Sequence, residues 1–395
     1  MIDTIVLTFP INWFSIWDYG KFSPYTNSKL FSEEISHLKH RQNKKWIQNP
    51  TKQELRSRIY KPRITLIAVM GLFGPIIKLR IELSLPKLLY KNNFDELTDA
   101  DYPKIFQLLK DTLDNMGIRL FDHHLDNAPV TAIHYSKNIP LPYHTTPPMI
   151  ITELHKLNPF PRLTENKVIF RNGGQSFQLH ANSYEIVIYD KIKDLEQAQT
   201  SDKRAIENDN SIQLNLLDEI NQPKFRNILR LEIRLNKTAK IKSILKENSI
   251  DQILTFKQLF KQSTSQKVLQ YFWQELTKNK EMLLLSGKSP IETMEIIKTN
   301  NPSLKARQIL ELSGAITAIN SSSHNQLRNI IDTARNHSYW YKLKRKLSNL
   351  NIPKNGKYNL LIDVEKQLQE FTPTKLSNLR EQQFKYYTIH KYYSS

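Results

Sequence analysis

Apolar and polar positions alternate in several short stretches of the first 240 residues, and this period of two predicts β-strands. The clearest stretch runs from Ile76 to Leu85, where every second residue from Leu79 onward is apolar and those between are polar. The other predicted strands are residues 5–9, 63–70, 130–139, 168–171, 183–190 and 228–235. Residues 98–116 have a helical period instead, which Gly117 ends.

After about residue 240 the strand pattern fades and apolar positions recur at helical spacing, with breaks at 287–290 and 301–302. We therefore predict an α+β fold, with an antiparallel sheet in a first domain at residues 1–250. A helical DNA-binding region at residues 251–395 follows and ends in a basic, aromatic tail.

Residues 306–332 are predicted to form two short helices around the turn at 320–323. This pair is either a DNA-reading helix-turn-helix or an ordinary helix pair. The residues predicted to pack inward are Leu310, Leu312, Ala315, Ile316, Leu327, Ile330 and Ile331.

The net charge of +19 favours a polyanionic partner, either nucleic acid or an anionic membrane surface. Residues 221–250 hold eight Lys or Arg against two Glu, and residues 334–350 are basic with no acid, beside Tyr339, Trp340 and Tyr341. Aromatic groups beside cations suit binding to single-stranded nucleic acid. The predicted DNA contacts are Arg230, Arg234, Lys237, Lys342, Lys344, Arg345 and Lys346.

Three predicted strands carry polar groups that a plain structural strand does not need. On the first, His134, Ser136 and Asn138 share one face; on the second, Glu185, Tyr189 and Lys191 do; on the third, Arg230, Glu232 and Arg234 do. Tyr184 falls on the opposite face of its strand and is predicted to be core. If the three strands are neighbours, His134, Tyr189 and Glu232 converge.

Tyr189 beside the cation of Lys191 is a candidate nucleophile, because a nearby positive charge favours the phenolate. Glu232 is a candidate oxygen ligand for a divalent metal, with His134 as a second ligand, and the two arginines would hold phosphates. The alternative is that these are ordinary sheet residues and an ion-paired solvent face. The pair His123-His124 is predicted to lie in a loop, with the two rings pointing apart.

Several classes of protein are excluded by what the sequence lacks. It has no cysteine, which excludes disulfides and thiolate chemistry, and only nine glycines, none in a phosphate-binding loop. No apolar run is long enough for a membrane helix, and the acid at Asp3 is unlike a signal peptide. We expect a cytoplasmic protein that does not act at a membrane and does not itself use ATP.

Four places in the chain resemble the replication initiators of filamentous phages, the gene II/X family, and their bacterial and plasmid relatives. They are Met1 to Leu7, Ser84 to Leu89 running on to Asn92-Asn93-Phe94, Tyr189-Asp190-Lys191, and Leu231 to Leu235. Their order and spacing fit over roughly residues 1–250. The resemblance implies a nuclease-like first domain.

The resemblance also implies a rolling-circle initiator that nicks one strand at an origin, becomes joined to the 5′ phosphate through a tyrosine, and later rejoins the strand. It implies Mg²⁺ or Mn²⁺ as cofactor, origin DNA as duplex and single strand, and a host helicase and polymerase as partners. Relatives with paired histidines differ here, because Ser136 stands two residues after His134; Asn138 or carboxylates then complete the metal site. The alternatives are a DNA-binding repressor or copy-control protein without enzymatic activity, and a conjugative relaxase.

Overall fold

The computed structural model confirms the α+β class. The residues it describes are 1–51, 53–54, 59–142, 145–157, 168–171, 176–200, 227–278, 283, 285, 288–322, 324–331, 337–352 and 359–377. Strands occupy the chain as far as residue 235, and helices follow.

The strands are β1 (Ile2–Pro10), β2 (Phe14–Ile16), β3 (Asn43–Gln48), β4 (Arg63–Gly71), β5 (Gly74–Ser84), β6 (Ile118–Leu120), β7 (Val130–Pro140), β8 (Val168–Arg171), β9 (Ser176–His180), β10 (Tyr184–Asp190) and β11 (Ile228–Leu235). Nine of them form one sheet in the order β3-β4-β5-β1-β7-β11-β10-β9-β8, and β2 pairs with β6. All of these pairings are antiparallel, as predicted.

The helices of the described residues are α1 (Ser28–Ser36), α2 (Leu85–Tyr90), α3 (Tyr102–Asn115), α4 (Asp122–Asp126), α5 (Pro147–Lys156), α6 (Lys191–Thr200), α7 (Thr238–Glu247), α8 (Phe256–Leu259), α9 (Gln262–Leu276), α10 (Pro290–Asn300), α11 (Ala306–Ser321), α12 (His324–Ile331), α13 (His337–Ser348) and α14 (Asn359–Glu370). Short 3₁₀ turns occupy Ile11–Trp13, Tyr19–Lys21 and Asp99–Asp101. None of the helices in the described ranges is both long and apolar enough to cross a membrane.

The sheet has one apolar face and one polar face, because its strands alternate as the sequence predicts. The apolar face is buried under helices that include α5, α7 and α9, and together they form the main hydrophobic core. Helix α14 returns to this core from the far end of the chain and packs on α9 and β7. Any functional site on the sheet is therefore expected on its polar face.

A second hydrophobic cluster joins helices α10 to α13 and contains Leu312, Ala315, Ile316 and Trp340. The predicted helix pair is confirmed, but Leu310 and Ile330 are not core residues: their side chains are 58% and 76% exposed. Each lies on the outer side of its helix, which the simple apolar pattern did not separate from the buried stripe. The domain boundary at residue 250 stays a prediction.

Most of the predicted strands agree with the structure to within one to three residues. Strands β2, β3, β6 and β9 were not predicted, because their residues alternate weakly or are too few. Strand β10 ends at Asp190, so Lys191 is the first residue of α6 and is not the last residue of a strand. The polar stretch at residues 191–219 is predicted to be a solvated helical excursion, and its residues from 201 onward lie outside the described residues.

Candidate functional site

The three strands predicted to carry chemistry are neighbours, with β11 between β7 and β10. Directly paired residues point to the same face of a sheet, so the register decides which side chains meet. Arg230 lies between Asn138 and Tyr189, whereas Arg234 lies between His134 and Glu185. His134 and Tyr189 are thus on the same polar face but at opposite ends of it, about 13 Å apart along the strand direction.

Arg230 is the centre of a buried hydrogen-bond network, and only 2% of its surface is exposed. One terminal nitrogen donates to Asp3 Oδ1 at 2.7 Å, and the other donates to Asn138 Oδ1 at 3.1 Å and to the Asn93 carbonyl oxygen at 2.9 Å. Asn138 also donates to the Phe94 carbonyl oxygen at 2.6 Å. Its amide is therefore fully used in fixing the arginine, and a metal would have to displace these bonds.

A tight turn after α2 brings Asn93 to this network. Lys91 ends α2 with a left-handed φ of 61°, and the Asn92 side chain accepts hydrogen bonds from the Phe94 and Asp95 amides. Asn93 then presents its carbonyl oxygen to Arg230 and its Oδ1 to the Lys191 ammonium at 2.9 Å. The turn thus links the two cations closest to Tyr189.

Tyr189 is half-buried, and its ring centre lies 5.9 Å from Lys191 Nζ, so the predicted proximity of the two side chains is present. Asp190 caps α6 by accepting hydrogen bonds from the Ile192 and Lys193 amides, which turns the chain sharply and places Lys191 beneath the ring. Among the described residues, the Tyr189 hydroxyl has no hydrogen-bond partner. It is free to meet a ligand.

Burial shifts the protonation of both side chains. Burial raises the pKa of Tyr189 well above its ordinary value, and the positive charge of Arg230 opposes this only in part. Burial lowers the pKa of Lys191 to about 8, against the opposing charge of Asp194. Lys191 can therefore exchange a proton near neutral pH, while Tyr189 needs an acceptor to ionise.

Glu232 is buried among cations. Burial alone would raise the pKa of its carboxyl group, but Arg234, Arg230 and His134 outweigh burial and hold that pKa well below its ordinary value. Its Oε1 accepts from Arg234 Nε at 2.9 Å, and Arg234 in turn reaches Glu185 at 3.3 Å. Glu232 is consequently ionised and held in place at neutral pH.

The predicted metal ligands lie close together, with His134 Nδ1 3.9 Å from Glu232 Oε1. The fit to a metal ion is incomplete, because the same carboxylate oxygen is bonded to Arg234 and no third ligand joins the pair. Among the described residues, no group of three His, Asp or Glu is arranged to hold a metal ion. A metal at this place would need Glu232 to exchange Arg234 for the ion.

The predicted DNA contacts differ in accessibility. Lys237, Lys342 and Arg345 are exposed, and Arg234 is partly exposed. Lys346 is held by Glu311 at 2.7 Å. Arg230 would contact a phosphate only if Asp3 or Asn138 released it.

Helix α13 buries two residues that the sequence places among the nucleic-acid contacts. Trp340 is 1% exposed and Lys344 is 7% exposed, and both belong to the inner side of the helix. The charge run and the aromatic run cross from the outer to the inner side because a helix turns by about 100° per residue. Trp340 is therefore a core residue and is not a free stacking surface.

The pair His123-His124 lies on the short helix α4, so the predicted loop is wrong. The two ring centres are 3.9 Å apart, and His124 stacks on Trp13 with ring centres 4.8 Å apart. Consecutive side chains on a helix point about 100° apart, whereas those on a strand point to opposite faces, so on α4 the two rings can lie near each other.

Two contributors to the site were missed by the local pattern. Asp3 and Asn93 are far from residue 230 in sequence, and only the fold brings them to Arg230. A signal for both was present, since each lies inside one of the four segments that carry the family resemblance. All four segments, represented by Asp3, Asn93, Tyr189 with Lys191, and Glu232, meet around Arg230.

Comparison with protein-family models, with curated proteins and with solved structures gave no match to this chain.

Proposed function

We propose that this protein is a rolling-circle replication initiator, which nicks and rejoins one DNA strand through a covalent 5′-phosphotyrosine at Tyr189. The observation that carries the proposal is the meeting of four distant segments around Arg230, with an unpartnered tyrosine hydroxyl at its edge. A buried arginine whose two terminal nitrogens are both hydrogen-bonded fixes its surroundings before a substrate arrives, and preorganised sites of this kind favour catalysis.

The reaction divides naturally among these residues. The Tyr189 oxygen attacks the scissile phosphorus, the bond from phosphorus to the 3′ oxygen breaks, and the 3′ oxygen takes up a proton. Lys191 exchanges protons near neutral pH and lies beneath the Tyr189 ring, so it is suited to accept the phenol proton. Arg234, which is partly exposed, would hold the phosphate, while Arg230 keeps the strands and the turn in position.

The substrate in this proposal is origin DNA, with Mg²⁺ or Mn²⁺ as cofactor and a host helicase and polymerase as later partners. The exposed cations Lys237, Lys342 and Arg345 add contacts to the backbone outside the reacting site. Their effect on affinity is expected to be independent of sequence.

The test is nicking of supercoiled plasmid that carries the DNA flanking the protein's own gene. Wild-type protein should give open circles with Mg²⁺ or Mn²⁺ and none with EDTA, and Tyr189→Phe should give none while binding the DNA normally. The matched control is Tyr184→Phe, since Tyr184 lies on the other face and packs its ring 5.4 Å from that of Phe272. Full nicking by Tyr189→Phe would contradict the assignment.

A second candidate is a DNA-binding repressor or copy-control protein without catalysis. The raised pKa of Tyr189 and the engagement of Glu232 by two arginines favour it, because both describe a stable structural network. Tight duplex binding that is unaffected by EDTA, with no open circles in either metal, would support the repressor and refute the nickase.

A further inference from the structure

The β4–β5 hairpin ends in two large apolar residues that are almost fully exposed. Gly71 pairs with Gly74, so the turn consists of Leu72 and Phe73 alone. Leu72 is 82% exposed and Phe73 is fully exposed. Ile76, which follows on β5, is also exposed, so the end of the hairpin is a small exposed apolar surface.

The fold does not require apolar residues at this turn. Two-residue hairpin turns favour Asn, Asp and Gly, because these residues readily adopt the backbone conformations of the tight bend. Asn and Asp also have polar side chains that are well solvated at an exposed turn. Here Gly74, with a φ of 125°, supplies the unusual backbone conformation, and neither Leu72 nor Phe73 has a positive φ. The side chains of Leu72 and Phe73 are therefore not needed to form the turn and are available to bind a partner.

The hairpin also projects beyond its neighbour. Strand β1 pairs with β5 only as far as Pro10 opposite Lys78, so residues 74–77 extend about 13 Å past it. On the other side, backbone hydrogen bonds from Arg41 to Met70 and from Met70 to Gln42 support the hairpin up to the residue before Gly71. The tip therefore extends past β1 on one side and is supported by residues 41–42 on the other.

The surroundings of the hairpin are strongly basic. Residues 35–81 contain eleven Lys or Arg and a single acid, Glu54, which is paired with Lys61. Lys39, Arg41, Lys45 and Lys78 are exposed and form no ion pair with another described residue. Lys45 and Lys78 both lie opposite Ile67, on the polar face of the sheet.

We propose that the Leu72-Phe73 tip is a wedge that enters duplex DNA between base pairs and opens it. Apolar side chains inserted at a base step unstack it and kink the duplex, and the cost is met by backbone contacts elsewhere. The cations of β3 and β5 supply those contacts, and the polar face then leads one strand toward β7, β11 and β10. This use of the wedge rests on the proposed function. A nickase without a nucleotide-binding loop cannot use ATP to separate the strands, so the free energy of DNA binding must open the duplex at the nicking site.

The arrangement of cations distinguishes DNA from a lipid surface. A membrane touched by the tip is a plane, and only cations level with the tip reach its headgroups. Here the cations recede from the tip along the strands, and the unpaired Lys78 lies about 13 Å below Gly74. A flexible polyanion that runs along the sheet can contact all of them.

The experiment measures unstacking without any cleavage. The probe is a short duplex with 2-aminopurine at a central TA step, whose fluorescence rises when the base unstacks, in buffer that contains EDTA. Wild-type protein should raise the fluorescence, and the double variant Leu72→Ser/Phe73→Ser should lose the rise and bind the duplex about tenfold more weakly. Binding of the same strand without its complement should not change.

Two controls establish that the tip itself is responsible. Ile253→Ser removes an apolar side chain that is 55% exposed elsewhere on the surface, and it should behave as wild type. Leu72→Asn/Phe73→Asn places polar, turn-forming residues at two positions whose φ is negative, so it should keep the wild-type melting temperature while it loses the fluorescence rise.

Each outcome decides the proposal. A fluorescence rise that survives in the double variant, or no rise in wild type at saturating binding, would overturn the wedge. Wild-type binding to phosphatidylserine vesicles that the double variant loses, with duplex binding unchanged, would assign the tip to lipid instead. A wild-type rise without plasmid nicking in Mg²⁺ would leave the wedge standing and refute the nickase, whereas equal duplex nicking by wild type and variant would refute the wedge alone.

Discussion

The two halves of the polar sheet face differ in how many of their charged groups are paired. In β7, β11 and β10, the charged groups of Arg230, Glu232 and Arg234 are paired with one another or with Asp3 and Glu185. In β3 and β5, Lys45 and Lys78 are exposed and unpaired among the described residues, although Arg80 on β5 pairs with Glu82 at 2.8 Å. The sheet is continuous, so backbone geometry does not explain the difference.

The comparison separates positioning from contact. A buried arginine that satisfies several acceptors fixes local geometry, and it cannot reach a ligand without losing those bonds. An exposed lysine fixes nothing and is available to a phosphate. We therefore expect substitutions in the first half to change folding and chemistry, and substitutions in the second half to change DNA affinity alone.

The largest expected effect follows the removal of Arg230. Arg230→Leu leaves the Asp3 carboxylate and the Asn138 amide without their buried partner, which should lower the free energy of unfolding by about 3–5 kcal/mol. Denaturant titration measures it. Lys45→Leu in the other half is the matched control, with a change within about 0.5 kcal/mol. Equal stability of the two variants would contradict the claim that the paired half of the sheet face stabilises the fold and the basic half does not.

The helical region supplies a contrasting case, in which buried polar groups lack partners. His324 is 5% exposed, its ring packs edge-on to Trp340, and neither His324 Nδ1 nor Lys344 Nζ has a hydrogen-bond partner among the described residues. Burial first and the charge of Lys344 second lower the pKa of His324 to about 3. The neutral imidazole is therefore the form that folds.

This shift predicts acid sensitivity. Between the unfolded pKa of about 6.5 and the folded pKa of about 3, only the unfolded chain binds the proton, so stability falls with pH by about 2 kcal/mol from pH 7 to pH 5. His324→Gln should flatten this slope, measured by denaturant titration at both pH values. Burial also lowers the pKa of His155 to about 4, so His155 makes stability fall with pH in the same direction. This smaller pH dependence should remain in His324→Gln. The exposed His123→Gln is the control, and an unchanged slope in His324→Gln would contradict the assignment.

The smallest expected effect concerns single cations of the basic half. Lys78→Ala should leave stability unchanged and should reduce the salt dependence of duplex binding, with the slope of log affinity against log salt falling by about 0.9 for one lost phosphate contact. Fluorescence anisotropy at several salt concentrations measures this. Lys366→Ala on α14 removes an exposed charge away from the sheet and should leave the slope unchanged.

Local periodicity predicted seven of the strands and the shared faces of the site, but the adjacency of β7, β11 and β10 is seen only in the strand order of the sheet. It could not give the partners of Arg230, because Asp3 and Asn93 reach it only through the strand order and the turn after α2. Nor could it separate buried from exposed members of a charge run, as Lys344 and Lys342 show. The basic half was missed because its cations are spread over two strands and the segment before β3 and are not gathered in one run.

The central claim is that Tyr189, at the edge of the Arg230 network, forms the covalent bond to DNA. The most direct measurement is peptide mapping by mass spectrometry of protein joined to single-stranded origin DNA after reaction with Mg²⁺ or Mn²⁺. The account predicts a nucleotide 5′ phosphate on the peptide that contains Tyr189, and no adduct in Tyr189→Phe. An adduct on another tyrosine, or strand cleavage with no adduct at all, would contradict it.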